Sequence, residues 1–128
     1  IGICLGMQIL ATSSSEGGFS YGLNIIPGNV ESFKETLGYK IPNIGWQKSI
    51  FTTHNPFKME KKYNTFYHVH SYYFNVTEKN NIYAYSKYCN INFPTIVCKN
   101  NIYGVQFHPE ISGYNGELLL KNIIINYV

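Results

Sequence analysis

Gly2-Ile3-Cys4-Leu5-Gly6 constrains this chain more than any other stretch. A cysteine sits between two glycines, one residue from each. Ile1-Gly2-Ile3 reads as the end of a buried strand. Met7, Ile9, Leu10 and Ala11, within Met7 to Thr12, read as a short buried helix. Strand, sharp turn and helix in so few residues is the arrangement of a nucleophile elbow. Glycines let the backbone turn tightly and pack closely, and the side chain between them is lifted out of the sheet at a helix start. There the helix dipole is expected to lower the thiol pKa and favour thiolate. The N–H of Leu5 would point to where an oxyanion forms. A buried structural cysteine between glycines is the competing reading of this stretch taken alone.

A thiol nucleophile needs a proton carrier, and Gln106-Phe107-His108-Pro109-Glu110 offers one. Pro109 pushes His108 into an extended conformation. Side chains at i and i+2 of an extended chain point the same way, so Glu110 can lie beside the His108 imidazole. A carboxylate there holds the ring tautomer and stabilises its charged form. A surface histidine with a local carboxylate is the bland alternative. Elbow and His-Pro-Glu together are far more specific than either.

The other histidines carry less. His68-Val69-His70 has same-face spacing on a strand, but no third ligand stands out, so no metal is expected. His54 reads as a loop residue. Trp46 reads as packing unless it lies at a partner surface. Cys89 and Cys98 sit in strand-like surroundings, with packing as their default.

Along the chain, Ser13 to Gly18 and Gly22 to Gly28 read as loops. Val30 to Phe33 reads as a short strand, and residues 40–42 as an extended approach to Gly45-Trp46. His54 to Lys62 reads as a loop with one helical turn. Thr65 to Phe74, aromatic and β-branched, is the strongest strand candidate. Ile82 to Tyr88 alternates as a strand. Thr95 to Lys99 and Ile102 to Phe107, joined at Asn100-Asn101, read as a hairpin. Gly113 to Gly116 reads as a loop before a closing helix over residues 117–128. The pattern is α/β with some antiparallel content.

Other classes are disfavoured. Net charge is only +3 with no Lys/Arg stripe, so no nucleic-acid partner is expected. Lys58, Lys61 and Lys62, with Glu60 among them, read as a solvated turn. No apolar stretch approaches the ~18 residues of a membrane span. The opening residues have no secretion-signal pattern. Three cysteines without framework spacing favour a reduced, cytoplasmic setting. The chain opens without a methionine, in what reads as the end of a strand, so it is expected to be a fragment with earlier strands missing.

On these motifs the chain resembles the class I glutamine amidotransferases, the Cys-His-Glu glutaminases. Within them it is most similar to the glutaminase subunits of imidazole glycerol phosphate synthase. "GICLGMQIL", "EGGFSYGLNIIPGNV", "IPNIGWQ", "FYHVHSYYF" and "YGVQFHPEISG" carry the likeness, in order along nearly the whole chain. The resemblance implies an open mixed sheet flanked by helices, flavodoxin-like, lacking its N-terminal strands, with residues 1–128 as a partial glutaminase domain. It implies Cys4 as nucleophile, His108 as acid/base, Glu110 as its orienter and the Leu5 N–H as half of an oxyanion hole. Gln8, Glu16, Ser71 and Tyr72 match glutamine-contacting positions, Glu16 at the α-amino group. No cofactor is implied. Ammonia would pass to a barrel-shaped cyclase subunit for imidazole formation in histidine biosynthesis, with Trp46 and its neighbours facing that partner.

The sequence departs from the pattern in three ways. The glycine-rich oxyanion strand is not in this chain, so the fragment itself is expected to be weak or inactive. Ile111 stands where lysine commonly follows the glutamate. Asn43 and Gln47 stand where His and Asn are usual. These changes keep open an amidotransferase supplying ammonia to a surface-polysaccharide sugar; a non-catalytic partner-binding subunit is a separate alternative, against which all three members of the Cys-His-Glu set are present.

Overall fold

The computed structural model describes residues 1–57 and 59–125. In chain order the elements are β1 (Gly2–Ile3), α1 (Leu5–Gln8), β2 (Ser13–Ser14), β3 (Ser20–Tyr21), β4 (Gly28–Ser32), β5 (Asn43–Lys48) and β6 (Ile50–Phe51). There follow β7 (Thr65–His70), β8 (Tyr72–Val76), β9 (Ile82–Tyr88), β10 (Ile91–Lys99), β11 (Ile102–Val105) and α2 (Gly113–Ile125). Short 3-10 turns cover Lys61–Tyr63, Lys79–Asn81 and Pro109–Ile111.

The strands form three sheets. Five strands run in the order β1-β11-β10-β9-β6, four in the order β3-β2-β4-β8, and β5 pairs with β7 alone. Parallel pairs join β1 to β11 and β2 to β4, and the remaining pairs are antiparallel. Among the described residues, mixed sheets with two helices place the chain in the α/β class, as expected.

The five-stranded sheet is covered on both faces. On β10, Ile96 and Cys98 join Val105, Phe107, Leu119 and Ile123 in the core under α2. Val97 between them joins Met7, Leu10 and Ala11 with Val30 and Phe74 on the other side. Successive strand residues face opposite ways, so a central strand covered on both faces reads as a continuous apolar run. Each such side chain contributes about 1.5–3 kcal/mol by leaving water.

Strand β9 has the expected bounds, and β10 and β11 form the expected hairpin, with Cys98 opposite Tyr103. Four readings need correction. The loop expected from Ser13 begins with strand β2, Ser13–Ser14, which pairs with β3 and β4. The Thr65–Phe74 run is two strands. It breaks at Ser71, whose carbonyl accepts the Phe33 N–H at 3.1 Å, and β7 and β8 pair in different sheets. Period-two alternation continues across the break, so the pattern alone does not report the change of partner.

The loop expected over Gly113–Gly116 is the first turn of α2. Gly116 is there for close approach, since a Cβ would stand 1.9 Å from the Pro109 carbonyl oxygen. The end of the expected helix at residues 126–128 lies outside the described residues, as does Lys58. Finally, the helix expected over Met7–Thr12 spans only Leu5–Gln8; Met7, Leu10 and Ala11 are buried as expected, but Ile9 is exposed.

Candidate active site

Strand β1 runs parallel to β11, with Gly2 opposite Gly104 and Ile3 opposite Val105. Their C-terminal ends therefore emerge side by side. Cys4 follows one, and the 106–110 segment follows the other. The Cys4 N–H donates to the Val105 carbonyl at 2.8 Å, which anchors the turn to the sheet. Cys4 then adopts φ 51°, ψ −106°. That positive φ is strained for a residue with a Cβ, by about 1–3 kcal/mol, and persists only where the surroundings hold it. They do so here: a Cβ on Gly2 would stand 2.3 Å from the Gly6 carbonyl oxygen, so strand and helix meet backbone to backbone.

The thiol is half-buried. Its Sγ lies 3.8 Å from the Val69 carbonyl and 3.8 Å from Gln106 Nε2. Gln106 Oε1 in turn accepts from Gln8 Nε2 at 3.1 Å. Burial pushes the thiol pKa above its ordinary value, opposed by a hydrogen bond from the Leu5 N–H and reinforced by the Glu110 and Glu16 carboxylates. The lowering expected from the helix dipole is thus overturned. A helix of four residues offers little dipole, and desolvation outweighs it. Cys4 rests as a thiol, and a base must remove its proton.

His108 extends from the sheet, its N–H bonded to the Tyr67 carbonyl at 2.9 Å. Pro109 opens the 3-10 turn that carries Glu110. The His108–Glu110 contact is as expected, but the turn makes it rather than two extended residues. Nδ1 lies 2.7 Å from Glu110 Oε1. A carboxylate only accepts, so Nδ1 carries the hydrogen and Nε2 of the neutral ring is free to take a proton. Ser112 Oγ closes the turn by donating to the His108 carbonyl at 2.6 Å.

A cavity of about 170 Å³ opens beside the thiol, lined by Cys4, Leu5, Gln8, Glu16, Val69, His70, Ser71 and Tyr72. All four residues expected to contact substrate meet the cysteine there. His108 and Glu110 are not in that lining. A second cavity, about 430 Å³, shares Leu5, Gln8 and Glu16 and extends toward Tyr21 and Leu23.

Sequence reasoning passed over Gln106 and His70. Gln106 is fully buried against the sulfur. Its signal was its place two residues before His108 in an extended run. His70 was set aside as half of a doubtful metal pair. Its Nε2 lies 3.0 Å from His68 Nδ1, so the two rings are bonded to each other. No group of three or more His, Cys, Asp or Glu among the described residues could hold a metal. No helix among them is long and apolar enough to cross a membrane.

Residues 1–127 match the family described as glutamine amidotransferase class-I. The chain belongs to that family. It is 45% identical over 123 residues to the imidazole glycerol phosphate synthase subunit HisH of Caldanaerobacter subterraneus subsp. tengcongensis, covering 95% of this chain and 59% of that protein. The proteins of the same name in Listeria monocytogenes serovar 1/2a and Carboxydothermus hydrogenoformans are each 43% identical. They cover 94% and 96% of this chain, and 57% and 60% of their own lengths. The chain thus spans about three fifths of the length of these curated relatives.

Seen as a class I amidotransferase, the chain's departures from the family pattern fall into place differently. Asn43 and Gln47 meet each other: Gln47 Nε2 donates to Asn43 Oδ1. Ile111 is half exposed on the turn after Glu110. Trp46 is exposed against Tyr67, with ring centroids 5.6 Å apart, and is not the packing residue first expected.

Proposed function

We propose that this chain holds the nucleophile, the acid/base and the glutamine-contacting wall for the glutaminase half-reaction of an ammonia-supplying enzyme. The observation that supports the reading is the parallel β1–β11 pair, from whose ends Cys4 and the His108–Glu110 pair emerge, with a cavity lined by Gln8, Glu16, Ser71 and Tyr72 beside Cys4.

The chemistry runs as follows. Cys4 Sγ attacks the side-chain amide carbon of glutamine as His108 Nε2 takes the thiol proton. The Leu5 N–H donates to the oxyanion. The tetrahedral adduct collapses to a thioester, and ammonia leaves with the proton His108 returns. His108 next removes a proton from water, which attacks the thioester carbon. Glutamate departs and Cys4 recovers its proton. Glu110 holds Nδ1–H throughout and stabilises the imidazolium. The covalent intermediate divides one hard hydrolysis into two easier steps. The Glu16 carboxylate suits the α-amino group, and the Ser71–Tyr72 segment suits the α-carboxylate.

The ammonia acceptor is a barrel-shaped cyclase subunit that forms imidazole glycerol phosphate in histidine biosynthesis. The relatives' names support this reading. So does the exposed apolar face of Ile44, Trp46 and Val69 on β5 and β7, since the Val69 carbonyl lies against the thiol. The test follows glutamate release by the full-length protein, with and without cyclase and its imidazole-pathway nucleotide. Strong stimulation by the pair is expected. Turnover that ignores the pair moves the protein to another acceptor, such as a polysaccharide sugar. No turnover with a folded protein leaves a partner-binding subunit.

A further inference from the structure

We propose that His70 is a positioning residue for the glutamine site, fixing the Tyr72 carbonyl and through it the cavity wall beside Cys4, at the end of a buried chain of donors that starts at Gln47. The proposal rests on the glutaminase reading and adds to it a residue outside the Cys-His-Glu set.

The proton accounting leaves one arrangement. His70 Nδ1 lies 2.8 Å from the Tyr72 carbonyl. A carbonyl cannot donate, so Nδ1 carries the hydrogen. Burial holds the pKa of His70 down to about 4, so the ring is neutral and its Nε2 is a bare acceptor. Nε2 faces Asn43 Nδ2 at 3.1 Å and His68 Nδ1 at 3.0 Å, both of which then donate and share its single lone pair. That fixes His68 as the Nδ1–H tautomer. Its Nε2 is left as a lone pair, and that atom has no hydrogen-bond partner among the described residues. Asn43 turns its amide nitrogen to His70, so its Oδ1 is free to accept from Gln47 Nε2. Ser86 has one hydroxyl proton and lies nearer the Lys48 carbonyl, at 2.9 Å, than Gln47 Oε1, at 3.3 Å. The chain therefore begins at Gln47.

Every link donates in one direction: Gln47 to Asn43, Asn43 to His70, His70 to Tyr72. The Tyr72 carbonyl also accepts from Gln8 Nε2 at 3.2 Å. Both its lone pairs are thus occupied, by two side chains that line the same cavity. Gln8 continues to Gln106, which touches the Cys4 sulfur. One carbonyl ties the wall that faces glutamine to the residue beside the nucleophile. Asn43 and Gln47 lie on β5, and Ile44 and Trp46 between and beside them are exposed.

The experiment compares His70→Phe and His70→Asn in the full-length protein, with its cyclase partner present. Asparagine places an amide nitrogen near the Nδ1 position and keeps the donor to Tyr72, whereas phenylalanine keeps only the ring. His70→Phe is expected to raise the KM for glutamine about tenfold, with kcat changed less than threefold. His70→Asn is expected to recover most of that loss. The melting temperatures of both variants are measured alongside. Equal KM losses in the two variants at matched thermal stability would overturn the proposal, as would an unchanged KM in His70→Phe. Long-range proton–nitrogen NMR of the unaltered protein should give His70 as the Nδ1–H tautomer, and an Nε2–H tautomer overturns it independently. Absence of glutamate release from the unaltered protein would sink the glutaminase reading itself, and the positioning role with it.

Discussion

Gly116 of α2 packs its Cα against the Pro109 carbonyl, so closely that a Cβ would stand 1.9 Å from the oxygen. The closing helix is therefore seated on the turn that carries His108 and Glu110. Its burial of Leu119 and Ile123 in the core presses that turn into place. Gly116→Ala must push helix and turn apart. The expected cost is about 1–3 kcal/mol, or roughly 5–10 °C in melting temperature, together with a loss of glutaminase activity larger than the stability change explains. Thermal unfolding and glutamate release on one preparation check both. A variant with unchanged melting temperature would mean the helix sits less tightly than described.

The elevated pKa of Cys4 sets a second expectation. Burial and two carboxylates keep the group a thiol near neutral pH. Alkylation by iodoacetamide without substrate should be slower at pH 7 than for an unshielded thiol, and should rise through the alkaline range. A fast, pH-independent reaction at pH 6–8 would mean a thiolate is present at rest, and that the imidazole takes the proton before substrate arrives.

Substitution at Cys4, the proposed nucleophile, gives the sharpest contrast. Cys4→Ala should lower glutamate release by at least about a thousandfold, while synthesis by the cyclase partner from added ammonia continues. Cys4→Ser should be almost as poor, because a serine hydroxyl has no comparable access to an anionic form. Paired assays with glutamine and with ammonium salts separate the two outcomes. Loss of both activities would mean that the division of labour between subunits is wrong.

Much of this site is legible in the sequence, and the legible parts share a property: they are local. Gly2-Ile3-Cys4-Leu5-Gly6 and His108-Pro109-Glu110 carry their geometry within a few residues, because glycine and proline restrict or free the backbone where they stand. The β10–β11 hairpin reads from Asn100-Asn101 between two apolar runs, and Asn100 takes a positive φ of 57° in the turn. What is not legible depends on partners far along the chain. Ser71 ends one strand pairing and starts another, because β5 and β4 arrive from elsewhere. His68 and His70 read as a doubtful metal pair until Asn43 and the Tyr72 carbonyl stand beside them. Gly113 and Gly116 signal a loop by composition, but Gly116 serves a close contact that composition cannot report. The Gln8, Glu16, Ser71 and Tyr72 wall came from family likeness, not from any spacing in the chain.

The His108–Glu110 pair predicts a graded response. Glu110 is half exposed, so water replaces part of what its carboxylate supplies. In the proposed mechanism it orients Nδ1–H and moves no proton. Glu110→Gln should lower kcat by about ten- to a hundredfold, and His108→Ala by about a thousandfold or more. Steady-state kinetics of the two variants test the order. If Glu110→Gln proves the worse, the assignment of roles must be reversed or abandoned.

The buried histidines make stability depend on pH, and the sign follows from their shifts. Burial lowers His68 to about 3 and His70 to about 4, with the charge of His108 adding to both and that of His70 adding to His68. Their unfolded value is 6.5. Between those values the unfolded chain binds protons that the folded chain refuses. Their contribution is therefore fully present above about pH 6.5 and falls as the pH drops toward 4 and then 3. Each group can cost up to about 1.4 kcal/mol per pH unit across that window. Urea unfolding of the full-length protein should give a midpoint at pH 5 clearly below that at pH 7. His68→Phe, placed between the Phe93 and Phe107 rings that His68 already touches, should flatten the slope. A midpoint that stays level from pH 7 to pH 5 would mean that neither ring is held neutral, and the donor chain to the Tyr72 carbonyl would lose its tautomer argument.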